Sequence, residues 1–118
     1  MPAYAVAILS ETQLNDEIRT YLEQIDATLQ PFSGQYVIHG GPYHALEGEP
    51  KADLIVVEFP DLEHASRWYD SPAYKAIRPL RTANCVGTLF LVEGVPADHR
   101  AMKSGNKVCR EFPSAGIP

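Results

Sequence analysis

The chain has 118 residues, enough for one domain with a real core but small enough to gain from dimerisation. Apolar residues make up 45% and charged residues 21%, a balance that excludes an intrinsically disordered chain. The net charge of −5 excludes a nucleic-acid binder of the basic kind, and no apolar run approaches the length that spans a membrane.

The charge is unevenly spread. Residues 1–95 hold six Lys/Arg against thirteen Asp/Glu, whereas residues 96–118 carry Arg100, Lys103, Lys107 and Arg110 against Asp98 and Glu111. Cys85 and Cys109 form no CxxC pair, and no basic start leads into a signal-like apolar run. A reduced, cytoplasmic protein is the expectation.

Ala3 to Leu9 predicts a strand with Tyr4, Val6 and Ile8 on one face and Ala3, Ala5, Ala7 and Leu9 on the other. Both faces are apolar, so both should be covered, and the small side chains would let a helix approach closely. Ser10 to Gln30 predicts an amphipathic helix, since Leu14, Ile18, Tyr21, Leu22, Ile25 and Leu29 recur at steps of three and four. Ser10 and Gln13 fit a capping box, and Glu11, Asp16 and Glu17 suit the positive end of the helix dipole. Pro31 stops this helix.

Gln35 to His39 is a second strand, ended by Gly40-Gly41-Pro42, a turn where backbone can pass close to another group. A loop from Tyr43 to Lys51 leads to Asp53–Phe59, the expected centre of the sheet, with Glu58 embedded among Leu54, Ile55, Val56 and Val57. Asp61 caps a helix whose inner stripe is Leu62, Ala65, Trp68 and Tyr69. Ser71-Pro72 reads as a fresh cap and first-turn proline, so a second short helix carries Tyr74, Ile77 and Leu80 inward. Pro79 should kink or end it early. Cys85 to Glu93 is the last strand. Residues 96–118 read as an extension beyond a domain of residues 1–95, partly ordered at best, whose weak positive charge could fold it over the acidic core.

Strand, helix, strand, strand, broken helix, strand is the split βαβ order of a ferredoxin-like α+β domain: an antiparallel four-stranded sheet with its helices on one face. The other face still carries apolar residues that one chain cannot cover. A homodimer, with two sheets closing into a barrel, is the economical answer.

Several short patterns occur in register: Met1-Pro2-Ala3-Tyr4, Gly40-Gly41, Leu46-Glu47-Gly48, Val56-Val57-Glu58-Phe59-Pro60, Trp68-Tyr69-Asp70-Ser71-Pro72-Ala73-Tyr74 and Leu91-Val92-Glu93-Gly94-Val95. Together they resemble the bacterial family called domain of unknown function 1330, over residues 1 to 95. The resemblance implies a dimeric α+β barrel. That superfamily includes muconolactone isomerase-like enzymes, cofactor-free monooxygenases, haem-degrading enzymes and stress-responsive barrel proteins, but a shared fold implies no reaction. Pro79, Asn84 (where a basic residue often stands) and the long tail depart from the family pattern.

The candidate chemistry is sparse. Trp68, Tyr69 and Tyr74 either fill core or line a pocket in which an aromatic ring stacks on a planar ligand. His39, beside the glycine turn, could act as general base, or could be a strand-end side chain satisfied by backbone. Glu58 sits in the most apolar strand and needs a partner, or becomes a proton carrier. Tyr43 or Tyr74 could orient a substrate. Arg67, Lys75, Arg78 and Arg81 either offset the acidic surface or supply one cation, Arg78 or Arg81, to a ligand carboxylate. Arg78 is the choice for that role. His39 and His44 lack zinc-ligand spacing, and no nucleophile triad, phosphate loop or dinucleotide fingerprint is present, so neither metal nor cofactor is expected.

The expectation is therefore a homodimer with a small-molecule pocket between sheet and helices. The alternatives are a cofactor-free isomerase or monooxygenase-like enzyme with His39 or Glu58 as base, and a purely structural dimer.

Overall fold

The computed structural model describes residues 1–102. The remainder of the extension, with Lys103, Lys107, Cys109 and Arg110, lies outside the described residues, and so does the expectation that it covers the acidic core. Four strands, β1 (Ala3–Thr12), β2 (Gln35–His39), β3 (Asp53–Phe59) and β4 (Cys85–Glu93), form one antiparallel sheet in the order β2-β3-β1-β4. Three helices, α1 (Asp16–Leu29), α2 (Leu62–Asp70) and α3 (Pro72–Thr82), complete a ferredoxin-like α+β fold.

Strand register sorts the sheet into two faces. Ala3, Ala5 and Ala7 stand opposite Phe59, Val57 and Ile55 of β3 and Glu93, Leu91 and Leu89 of β4. The three alanines are buried, together with Phe59, Val57, Trp68, Tyr74, Ile25 and Leu29 of the core. The alanine stripe lets α2 approach β1 and β4, as their small volume implies. On the reverse face Tyr4, Val6 and Ile8 pair with Glu58, Val56 and Leu54, and with Val92, Phe90 and Thr88.

The first helix starts later than its periodicity suggests. β1 runs on to Thr12 through an irregularity between Leu9 and Glu11, and Ser10 donates its hydroxyl to the Val86 carbonyl instead of capping a helix. Pairing with β4 outweighs a local capping box. Asn15 is the actual cap, its Oδ1 accepting from the Ile18 amide at 3.0 Å, with Asp16 and Glu17 in the first turn. Leu14 falls in the intervening loop and is 88% exposed.

Pro79 does not end α3, which continues to Thr82. The turn after it is tied by bonds that need no Pro79 amide: Ala83 N–H to Pro79 O at 3.0 Å and Asn84 N–H to Arg81 O at 3.0 Å. The Asn84 amide nitrogen also donates to Leu80 O (2.7 Å) and Glu17 Oε1 (2.8 Å), and its Oδ1 accepts from Asn15 Nδ2 (2.7 Å). Asn84 therefore clasps the C-terminus of α3 to the N-terminus of α1.

Two glycine positions have distinct causes. Gly40 and Gly41 take φ of 76° and 111°, which favour residues without a Cβ, and nothing crowds Gly40. The turn, not a close approach, selects glycine there. Gly87, beside the β1 irregularity, is selected by space: a Cβ would run into the Ile8 carbonyl oxygen and lie 2.8 Å from Leu9 Cα. Gly87→Ala should destabilise the protein by about 1–3 kcal/mol, the usual cost of overpacking against backbone that cannot move aside. Urea unfolding measures this, and an unchanged midpoint would contradict it.

Candidate functional site

The helices leave a gap over the sheet. α1 packs against α3, while α2 takes the close contacts with β1 and β4. Between α1 and the sheet lies a cavity of about 280 Å³. Its sheet wall includes Ala5, Ala7, Val57 and Leu89, and its helix wall includes Ile18, Tyr21 and Ile25. Trp68 and Tyr74 close the buried end. The exposed lining residues Leu14, Leu22, His39 and Asp53 mark the opening.

The joint at Asp70-Ser71-Pro72 aims the aromatics. Ser71 donates both its amide (3.0 Å) and its hydroxyl (2.7 Å) to the Trp68 carbonyl, and Oγ accepts from the Tyr74 amide. One residue thus ends α2 and caps α3. Trp68 and Tyr74 consequently pack together with centroids 4.2 Å apart and their rings tilted at 42°. Trp68 Nε1 donates to Thr28 Oγ1 at 3.0 Å, which satisfies its polar edge on α1 and leaves its ring for packing.

Three polar groups meet in this apolar setting. Tyr74 Oη, fully buried, accepts from Arg81 Nε at 3.3 Å and shares a hydrogen bond with Tyr21 Oη at 2.9 Å. Burial, with the Tyr74 phenol next, pushes the Tyr21 phenol well above the ordinary tyrosine range. Burial likewise pushes Tyr36 up to about 12, with the Asp26 charge adding to it. Burial works against the charge of Arg81, but the Tyr74 and Tyr21 oxygens outweigh it and hold the guanidinium above its ordinary value.

The structure brings together only some of the residues singled out from sequence. His39, Trp68 and Tyr74 line the cavity. Trp68 and Tyr74 are core and wall at once. His39 lies at the rim, its ring stacked on Tyr36 at 4.6 Å. Glu58 pairs with Tyr4 and Gln35 in register with the reverse face, so it cannot share the cavity with His39. Arg78 lies over the Tyr69 ring at 4.7 Å, a cation–π contact away from the cavity lining. Tyr43 Oη accepts from the Leu54 amide at 2.8 Å and ties the loop to β3.

Arg81, weighed in the sequence against Arg78 but not chosen, lines the cavity, and so does Tyr21, which periodicity assigned only to the apolar stripe of α1. Arg81 follows Tyr74 by seven residues, two helical turns on the same stripe. Tyr21 is a polar-tipped residue within the aliphatic stripe of α1. Those were the available signals.

Among the described residues no group of three or more His, Cys, Asp or Glu side chains is arranged to hold a metal ion, and no helix is long and apolar enough to cross a membrane. The family described as a domain of unknown function (DUF1330) matches residues 2–95. The chain belongs to the DUF1330 family. No curated protein matches its sequence.

Solved structures similar to this DUF1330 chain share its fold at low identity. A protein of unknown function from Rhodopseudomonas palustris is 15% identical with a TM-score of 0.60, covering 80% of this chain and 83% of its own. A dimeric ferredoxin-like protein of unknown function from Jannaschia sp. CCS1 is 14% identical with a TM-score of 0.59, covering 80% and 100%. SnoaB, a cofactor-independent oxygenase from Streptomyces nogalater, is 11% identical with a TM-score of 0.56, covering 84% and 98%.

The raised phenols set an alkaline limit on stability. A buried tyrosine that resists ionisation contributes stability in full below the unfolded value of 10.0, and loses it as pH rises through the folded value. Stability should therefore fall from about pH 10 upward, most steeply to about pH 12 where Tyr36 titrates. Denaturant unfolding at stepped pH measures this, with Tyr36→Phe flattening part of the slope. A profile level to pH 12 would count against buried neutral phenols.

Proposed function

We propose that this protein is a homodimer that binds a small, largely apolar molecule in the cavity of each protomer, in the reducing cytoplasm. The observation that carries the reading is the cavity itself: about 280 Å³ of space between α1 and the sheet, beside a convergent set of polar side chains. That volume is near the lower end of ligand sites, and its mostly apolar wall with a few polar groups is their usual make-up. In this reading Trp68 and Tyr74 form the wall and His39 the rim. Glu58, Tyr43 and Arg78 have other duties: the reverse face, the loop and the outer side of α3.

Dimerisation is supported by the reverse face. Ile8 on β1 and Phe90 and Val92 on β4 are 40%, 44% and 45% exposed and share a sheet face with Val6. A contiguous apolar sheet face is a place for a second copy. The Jannaschia protein, dimeric on this fold, agrees with that placement by fold analogy.

An enzymatic reading rests on His39 as the base of a cofactor-free reaction. SnoaB shows that the fold can host a cofactor-independent oxygenase. A base at the rim of an apolar cavity suits proton abstraction, but a positioned base also needs an orienting partner. The His39 ring has a stacking neighbour and no hydrogen-bond partner among the described residues. Binding is therefore the reading the geometry favours.

Small aromatic molecules titrated into the protein should change Trp68 fluorescence saturably, and Ala7→Leu, which fills the cavity, should abolish the change while the protein stays folded. Silence across such a panel would refute the binding reading. Turnover that disappears in His39→Ala would move the protein to the enzymatic one. Sedimentation should give twice the 13.0 kDa of one chain, and Phe90→Glu should reduce it to one chain. A wild-type mass of one chain would defeat the dimer.

A further inference from the structure

The polar cluster in the cavity consists almost wholly of donors. Arg81 donates Nε–H to Tyr74 Oη at 3.3 Å, and the Tyr21 oxygen also lies beside its guanidinium. Among the described residues it forms no ion pair, unlike Arg19 with Asp16, His64 with Asp61 and Arg67 with Glu63. Asp53, the carboxylate among the lining residues, is exposed at the start of β3 and does not pair with Arg81. A half-buried cation that faces phenols and apolar side chains is normally matched by an anion.

Counting hydrogens strengthens the point. Tyr21 and Tyr74 carry two phenolic hydrogens between them and share one hydrogen bond. If Tyr74 donates to Tyr21, the Tyr21 hydrogen is left over. If Tyr21 donates, the Tyr74 hydrogen is left over, since Tyr74 Oη then accepts from both neighbours. Neither phenol donates to any carbonyl. Every oxygen has a partner, yet one phenolic O–H is left without an acceptor, and the guanidinium has neutral phenol oxygens beside it and no carboxylate among the described residues. Both phenols and Arg81 line the same cavity.

We infer that the cavity is a receptor for an ionised, ring-sized organic acid, with its carboxylate on the terminal nitrogens of Arg81 and on the spare phenol hydrogen of the Tyr21–Tyr74 pair. The inference rests on the small-molecule reading above and adds the charge and orientation of the ligand. The guanidinium edge suits a planar two-oxygen group, which a carboxylate supplies and a neutral amide does not. The ring lies between the alanine stripe of β1 and the α1 side chains, where there is room for flat apolar atoms and no further charge. Arg78, stacked on Tyr69, takes no part.

Cinnamate and cinnamamide, nearly identical in shape and different in charge, separate the possibilities. Calorimetry should show cinnamate binding at least about tenfold more tightly, the increment expected of charge-assisted bonds over neutral ones. Arg81→Gln should bring acid and amide within about twofold of one another, chiefly by weakening the acid. Tyr21→Phe, which keeps the ring and removes one O–H, should weaken cinnamate severalfold, and Arg78→Gln should leave it as it was. Arg81→Lys guards against a misfolded glutamine variant, since it keeps the charge, loses the fork and should bind at an intermediate level. Equal binding of acid and amide to the wild-type protein would overturn the anion receptor and leave the cavity a ligand site. If neither compound binds and neither shifts the backbone amide resonances of the cavity strands, both readings fall.

Discussion

A single buried phenol holds the helical layer together. Tyr74 is wholly inaccessible, so its hydroxyl must find partners inside the protein. It finds Tyr21 on α1 and Arg81 further along its own helix, while its ring rests on Trp68 of α2. All three helices are thereby referred to one residue. The need to satisfy one oxygen fixes how α1 lies on α3, and Ser71 fixes how α3 leaves α2. Because α1 is held by α3, it need not rest on the sheet, and the cavity is the space it leaves.

The sheet carries two different kinds of apolar face. Towards the helices β1 offers alanines and β3 and β4 offer larger residues, so close helix approach is possible at one end and a void remains at the other. On the reverse face Tyr4, Val6, Val56, Phe90 and Val92 form a continuous surface with Glu58 among them. A carboxylate placed there belongs to whatever covers that face and not to the chemistry of the cavity. Side-chain alternation along β3 is enough to separate it from His39, which the irregularity in β2 near Val37 returns to the helix side together with Tyr36.

Local patterns that agree with tertiary demands were legible in the sequence. β2, β3 and β4 lie where the apolar alternation and turn residues placed them, and the Ser71-Pro72 joint has the cap geometry its residue types implied. Legibility failed where a long-range partner overruled a local preference. Ser10 had the chemistry of a helix cap, but pairing with Val86 across the sheet claimed it. Pro79 had the chemistry of a helix breaker, but Asn84 secured the turn behind it. At the site, aromatic crowding marked Trp68 and Tyr74 as either core or wall, and both pack in the core cluster and border the cavity. Spacing could not choose between Arg78 and Arg81, because residues three apart share a helix face and only the direction of α1 decides which one is covered.

The alanines of β1 bear on why the space exists at all. Interiors of this kind are close-packed, and a void costs its surroundings lost dispersion contacts. Larger residues at Ala5 or Ala7 would fill the gap with side chains of the kind that β3 and β4 already present on the same face. A core shaped by packing alone has no reason to set small residues opposite two phenols and a guanidinium, because that arrangement leaves apolar volume empty and a cation without a carboxylate partner at the same place. One occupant resolves both defects at once: a molecule with a flat apolar body for the alanine stripe and an anionic end for the donors. The stripe that admits α2 at one end of β1 and the void at the other are thus two uses of the same small side chains.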